Sequence, residues 1–187
     1  MNKTTRCLLF LILATKICYC KAFESVNHYR NATDMLQTEK DPEILYRSAI
    51  DHYLKNNFKA SIRDLNEFIK LKPNNAQAIL TRANAHRKLK NYTSAINDYG
   101  LVIKLKPKLE EPYFQRGALR GYQKDFTGAI EDFSSAIKYN PKNAGTYINR
   151  ALARLNIKQK DLACVDLKKA ISLGNEQAKG ILERYCK

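Results

Sequence analysis

Apolar residues recur three and four positions apart through most of the chain, and short polar breaks interrupt them at regular intervals. Such spacing lays one apolar stripe along a helix, so the pattern predicts a succession of amphipathic helices. From Pro42 onward the succession is periodic. Pro73, Pro107 and Pro141 stand 34 residues apart, and stepping back from each by the same amount aligns almost everything else. With the proline taken as position 32, units begin at Pro42, Ala76, Glu110 and Ala144. Position 8 then reads Ala49, Ala83, Gly117, Ala151, and position 20 reads Ser61, Ala95, Ala129, Ala163. Position 24 reads Leu65, Tyr99, Phe133, Leu167, and position 17 gives Phe58, Tyr92 and Phe126, with Lys160 departing in the fourth unit. Small residues recur where helices must approach closely, and large ones where they fill the space between. Polar breaks such as Lys55-Asn56-Asn57 and Lys90-Asn91 fall near positions 14 to 16, so each unit divides into two helices of about 14 residues.

A 34-residue period with small residues at positions 8 and 20, an aromatic near 24 and proline at 32 resembles the tetratricopeptide repeat family, over residues 42–175. The resemblance implies an all-α solenoid of four stacked helix-turn-helix repeats with a concave groove that binds peptides or partner proteins. Position 4, often Trp in the family, is here Leu45, Ile79, Tyr113 and Tyr147. The repeats span 42–75, 76–109, 110–143 and 144–175. A solenoid needs capped ends. Asp41-Pro42-Glu43 offers an N-cap, a proline at the first helical position and an acid in the first turn. Gly174 can end the last repeat in a left-handed conformation. Ala178, Ile181, Leu182 and Tyr185 then share one helical face, so residues 176–187 read as a C-terminal capping helix.

The first 22 residues have the shape of a cleavable signal peptide: Lys3 and Arg6, an eight-residue apolar run from Cys7 to Ala14, and no acid before Glu24. That run is far short of the roughly 20 apolar residues a transmembrane helix needs, so no spanning helix is expected in the mature chain. Cleavage after Ala22, with a cut after Cys20 as the alternative, leaves residues 23–41 as a polar lead-in. The expected location is the bacterial periplasm or cell envelope, or secretion, with a cytoplasmic or N-terminally membrane-anchored chain as the lesser alternatives. Of five cysteines only Cys164 and Cys186 then remain. If the helix before Gly174 turns there and the next runs back antiparallel, Cys164 lies beside residue 185. A Cys164–Cys186 disulfide is therefore expected in an oxidising compartment, with two reduced, partly buried thiols as the alternative. Asn31-Ala32-Thr33 and Asn91-Tyr92-Thr93 fit glycosylation acceptors, which matter only in a eukaryote.

Arg82, Arg116 and Arg150 recur at position 7, and Asp64, Asp98, Asp132 and Asp166 at position 23. Each Arg can meet an Asp of its own or of the neighbouring repeat, so these are read as structural ion pairs rather than an anion-binding ladder. His52 and His86 occupy position 11, where the family often has Tyr, and are read as replacing packing aromatics. They are not read as a metal site, because two histidines on adjacent helices about 9 Å apart lack the further ligands zinc needs.

The family's groove-facing positions of the first helix imply a trough containing Tyr46, Ile50, Tyr53, Leu80, Asn84, Arg87, Lys88, Phe114, Ala118, Tyr122, Ile148 and Leu152. It is apolar and aromatic with a basic step at Arg87 and Lys88, which suits a peptide with apolar anchors and an acid. The chaperone-binding members clamp a C-terminal carboxylate with a set that includes Lys. Position 5 here is Tyr46, Leu80, Phe114 and Ile148, so that function is not carried over. No phosphate loop, metal-ligand cluster or activated nucleophile stands at a recognisable spacing, so neither catalysis nor a cofactor is expected.

The chain carries 33 Lys plus Arg against 18 Asp plus Glu, a formal +15, which falls to +11 if residues 1–22 leave. An electrostatic binder of anionic lipid, polysaccharide or nucleic acid is the competing reading, and a structural subunit of a larger complex is a third. The lysines scatter along helix ends and loops as a solvated face does, and several arginines are assigned to pairs. The balance thus argues against nucleic acid and for an exported scaffold that binds a protein or peptide.

Overall fold

Helix starts and stops recur with the sequence period because each rests on the same local chemistry. The computed structural model describes residues 41–187. The expected leader, the lead-in up to Lys40 and the Asn31 acceptor lie outside the described residues. Residues 46–187 form one compact unit. Among the described residues nine helices follow one another without a strand: α1 (Pro42–Leu54), α2 (Phe58–Leu71), α3 (Ala76–Lys88), α4 (Tyr92–Leu105), α5 (Glu110–Tyr122), α6 (Phe126–Tyr139), α7 (Ala144–Asn156), α8 (Lys160–Ser172) and α9 (Gln177–Tyr185). From α2 onward each helix packs on the one before and the one after, the pattern of a helix-pair solenoid.

The turns inside each repeat are closed by a residue in the left-handed region: Asn56, Lys90, Lys124 and Lys158, with φ of 58°, 61°, 66° and 61°. Around each, an N–H donates back across the turn to a carbonyl five residues earlier. Asn57 donates to His52 at 2.8 Å; Asn91 to His86, Asp125 to Arg120 and Gln159 to Arg154 do so at 2.9 Å. These bonds satisfy carbonyls that the helix end leaves unpaired. The starts of α3, α6 and α7 are each held by a side chain. Asn75, Asp125 and Asn143 accept from the backbone N–H of Ala78, Gly128 and Thr146 at 2.9, 2.9 and 3.3 Å. At the start of α1, Asp41 Oδ1 accepts from Glu43 N–H at 2.9 Å.

Alanines at positions 8 and 20 are fully buried between helices, and the large residues at position 24 fill the space beside them. Position 8 of the third repeat is Gly117 for a steric reason: a Cβ there would stand 2.9 Å from Phe133 Cε1. Below α8 the chain reverses at Gly174, whose φ of +87° suits glycine. Ala178, Ile181, Leu182 and Cys186 of the α9 segment pack onto the core formed by Tyr147, Ala151, Leu167 and Ala170. Tyr185 differs from its expected place on that face. It is exposed, because α9 ends there and the chain turns Cys186 inward instead.

Candidate binding groove and its support

The first helix of each repeat is fixed to the second by a buried carboxylate. Arg82 donates from Nε and Nη2 to Asp98 at 2.8 and 2.7 Å, Arg116 to Asp132 at 2.9 and 2.6 Å, and Arg150 to Asp166 at 3.0 and 2.7 Å. Every partner lies sixteen residues on, within the same repeat, and each contact is the two-pronged geometry a guanidinium favours. A third prong crosses to the preceding repeat in two cases: Arg82 Nη1 reaches Asn66 Oδ1 at 2.8 Å and Arg150 Nη1 reaches Ser134 Oγ at 3.0 Å. The pairs therefore set the register between repeats as well as within them.

Position 11 supplies a second cation to the same carboxylates. Arg120 donates to Asp132 at 2.9 Å and Arg154 to Asp166 at 2.7 Å. In the first repeat, Ser48 Oγ donates to Asp64 at 2.7 Å and His52 Nε2 stands 3.7 Å away. At position 11, His52, Arg120 and Arg154 thus turn toward the aspartate of their own repeat. His86 has its pKa lowered by burial, with Arg82 acting in the same direction and Asp98 opposing.

The groove residues divide by what they touch. Tyr46 leans on Phe68 at 5.0 Å between ring centroids, Tyr53 on Phe58 at 5.4 Å and Phe114 on Phe133 at 6.1 Å, each half-buried against its own second helix. Asn84 accepts from the Tyr99 hydroxyl at 2.6 Å. Burial pushes the Tyr99 phenol up to about 12, while the neighbouring Arg87 pulls the other way. Ile50, Arg87, Ala118 and Ile148 are half-buried and Lys88 is exposed. The most open apolar groups are Tyr122, 71% exposed with its ring edge-on to Tyr92, and Leu152, 40% exposed. Leu80 differs from the rest, being only 4% exposed: it belongs to the core with Ile79, Tyr99 and Leu119, so it can only floor a groove.

Two clefts open along this face. One of about 240 Å³ lies among Ala118, Phe133, Asn149, Leu152 and Asn156 of α5, α6 and α7. The other, of about 660 Å³, lies over Leu80 and is walled by the turn from Leu105 to Leu109. That turn was not singled out in the sequence, although Leu109 stands where the other two inter-repeat turns carry Asn75 and Asn143.

At the far end, Cys164 Sγ of α8 and Cys186 Sγ are 1.98 Å apart with a Cα–Cα distance of 5.8 Å. Among the described residues no helix is long and apolar enough to cross a membrane.

Residues 46–109 match the family model described as Tetratricopeptide repeat. No curated protein sequence matches the chain. A solved structure of MamA shares the fold with a TM-score of 0.72 at 20% identity, over 79% of this chain and 86% of that one. The Arabidopsis OM64 TPR domain is similar with a TM-score of 0.56 at 28% identity, over 59% of this chain and 93% of that one. The first TPR domain of Spaghetti (RPAP3), bound to the HSP90 peptide SRMEEVD, is similar with a TM-score of 0.56 at 22% identity, over 59% and 90%.

Proposed function

The helix pairs of this chain are tetratricopeptide repeats, and on that premise we propose that the protein is an exported, non-enzymatic scaffold that binds a protein or peptide partner along its first helices. The observation that carries the reading is the pair of open apolar side chains, Tyr122 and Leu152, beside a cleft on a face whose other aromatics are buried against the scaffold. Apolar surface left in water is a source of binding free energy once a partner covers it, at about 25 cal/mol per Å². Arg87 and Lys88 supply cations at the same face, so an acid beside the partner's apolar anchors would be accommodated. The peptide held by the RPAP3 domain combines these two features in that protein. Without a position 5 lysine the chemistry of capture here differs from the carboxylate clamp.

Export is supported by the Cys164 and Cys186 positions. Their Cα–Cα distance of 5.8 Å fits a bridge without backbone movement, and an oxidising compartment keeps such a bond formed. The bridge would lock α9 over the apolar end of the fourth repeat, which suits a solenoid that works outside the cell's reducing interior.

The test is affinity capture from the protein's own cell extract with the wild type and with Tyr122→Ala/Leu152→Ala, the two open side chains, each checked for helicity. Loss of one partner from the folded double variant, at salt concentrations that leave wild-type capture intact, supports the scaffold. Retention of every partner by the folded variant removes the groove reading. Capture that collapses steeply with salt and is indifferent to these two side chains favours an anionic surface or polymer as the ligand.

A further inference from the structure

The inter-repeat turn Leu105-Lys106-Pro107-Lys108-Leu109 breaks a local rule that its two counterparts keep. Asn75 and Asn143 cap α3 and α7 with side-chain hydrogen bonds, whereas Leu109 occupies the N-cap of α5 and makes none. Leucine is among the poorest N-cap residues, so the fold forgoes stabilisation there. Leu109 is instead 39% exposed and lines the cleft of about 660 Å³ together with Ala76, Leu80 and Leu105. That volume lies within the roughly 300–1,000 Å³ typical of ligand pockets. Lys106 and Lys108 stand at its rim. Among the described residues neither lysine enters an ion pair. Of the nearest acids in sequence, Glu110 is engaged elsewhere, accepting from Asn143 Nδ2 at 2.9 Å.

We propose that this cleft is a specificity pocket that takes one large apolar side chain of a partner segment, with Lys106 and Lys108 holding a carboxylate on the residues beside it. The proposal deepens the groove reading and rests on it. Its cations come from the turn after α4 rather than from the first helix of a repeat, and its apolar wall is a residue placed where capping would call for Asn. Apolar contact supplies affinity, and the lysines select acidic neighbours over basic ones.

A phage-displayed library of random heptapeptides, panned on the full chain, identifies the ligand chemistry. The expected outcome is enrichment of Leu, Ile, Met or Phe next to Asp or Glu. Selected peptides are then titrated by fluorescence anisotropy. Leu109→Asn should weaken binding about tenfold or more, the loss of one buried leucine contact, yet raise the thermal midpoint by about 2–4 °C because it restores a cap. A purely structural leucine would not separate the two readouts. Lys106→Glu/Lys108→Glu should weaken the acidic peptides about tenfold at low salt and flatten their salt dependence. Equal binding to wild type and Leu109→Asn overturns the pocket. If those same peptides are lost on Tyr122→Ala/Leu152→Ala, the groove reading survives alone. Absence of any enriched peptide overturns both, and saturation of the cleft by laurate with no peptide bound assigns it to a lipid instead.

Discussion

Replacing Asp132 with alanine isolates what holds the first and second helices of the third repeat together. Its side chain is 3% exposed and accepts from Arg116 at 2.9 and 2.6 Å and from Arg120 at 2.9 Å. Removing it strands Arg116, 18% exposed, and takes the close carboxylate from Arg120, 26% exposed, which keeps only the Gly128 carbonyl at 3.3 Å and Asp125 at 3.7 Å. Removing one partner of a buried ion pair costs about 3–5 kcal/mol, because the remaining charge stays desolvated without compensation. For a domain of this size that corresponds to a fall in thermal midpoint of about 6–20 °C. Asp98 provides an internal comparison. It has the same two-pronged arginine, Arg82, but position 11 of that repeat is His86, so one permanent cation loses its close carboxylate instead of two. Asp98→Ala should therefore cost less than Asp132→Ala. Guanidinium unfolding followed by circular dichroism gives both numbers, and hydrogen exchange shows whether the loss is confined to the affected repeat, as nearest-neighbour solenoid energetics require. A loss below about 1 kcal/mol for Asp132→Ala would place these pairs with ordinary surface salt bridges. It would refute the argument that they set the register of the groove.

Three further outcomes follow from particular residues. On the export proposal, protein isolated from its own cells should show no free thiol at Cys164 or Cys186 without reductant, and reduction or Cys186→Ser should cost about 3 kcal/mol for a closed loop spanning a sequence separation of 22; two free thiols would contradict that proposal. Lys124→Gly should stabilise by up to about 1 kcal/mol, because φ of 66° penalises a side chain that glycine lacks, and an unchanged denaturation midpoint would contradict this. His86 has a folded pKa below 6.5, so as pH falls through 6.5 the unfolded chain takes up the proton first and stability declines until the folded pKa is passed. His86→Gln should remove that part of the pH dependence in urea titrations at pH 5 to 8, and an identical profile would assign it elsewhere.

The helices were readable from sequence because the period repeats four times and small residues must recur where helices cross. The solenoid class followed from Pro73, Pro107 and Pro141 and from the alanines aligned behind them. What escaped was conformation without a compositional marker. Lys90, Lys124 and Lys158 adopt a left-handed backbone that glycine or asparagine normally signals, and lysine gives no hint of it. Arg120 and Arg154 reach aspartates twelve residues on, a spacing present in only two repeats because position 11 is histidine in the others. The histidines at the same position invited an aromatic reading, with no sign in the sequence that His52 stands 3.7 Å from Asp64. For the groove, exposure was the missing quantity. Periodicity assigns Leu80 and Leu152 to equivalent faces, yet Leu80 is covered by the second repeat and the turn after α4 while Leu152 stays open. Leu109 was visible as a departure from Asn at its position, but only the wall of the cleft gives that departure a meaning.

Site-specific photo-crosslinking in the native cell tests the central claim most directly. A photoreactive residue is placed singly at Tyr122, Leu152 or Lys88 of the groove, and at the exposed Asn97 and Glu131 of the second helices. The account predicts adducts to one and the same partner from the three groove positions and none from Asn97 or Glu131. Adducts formed from Asn97 and Glu131 while the groove positions stay silent would contradict it.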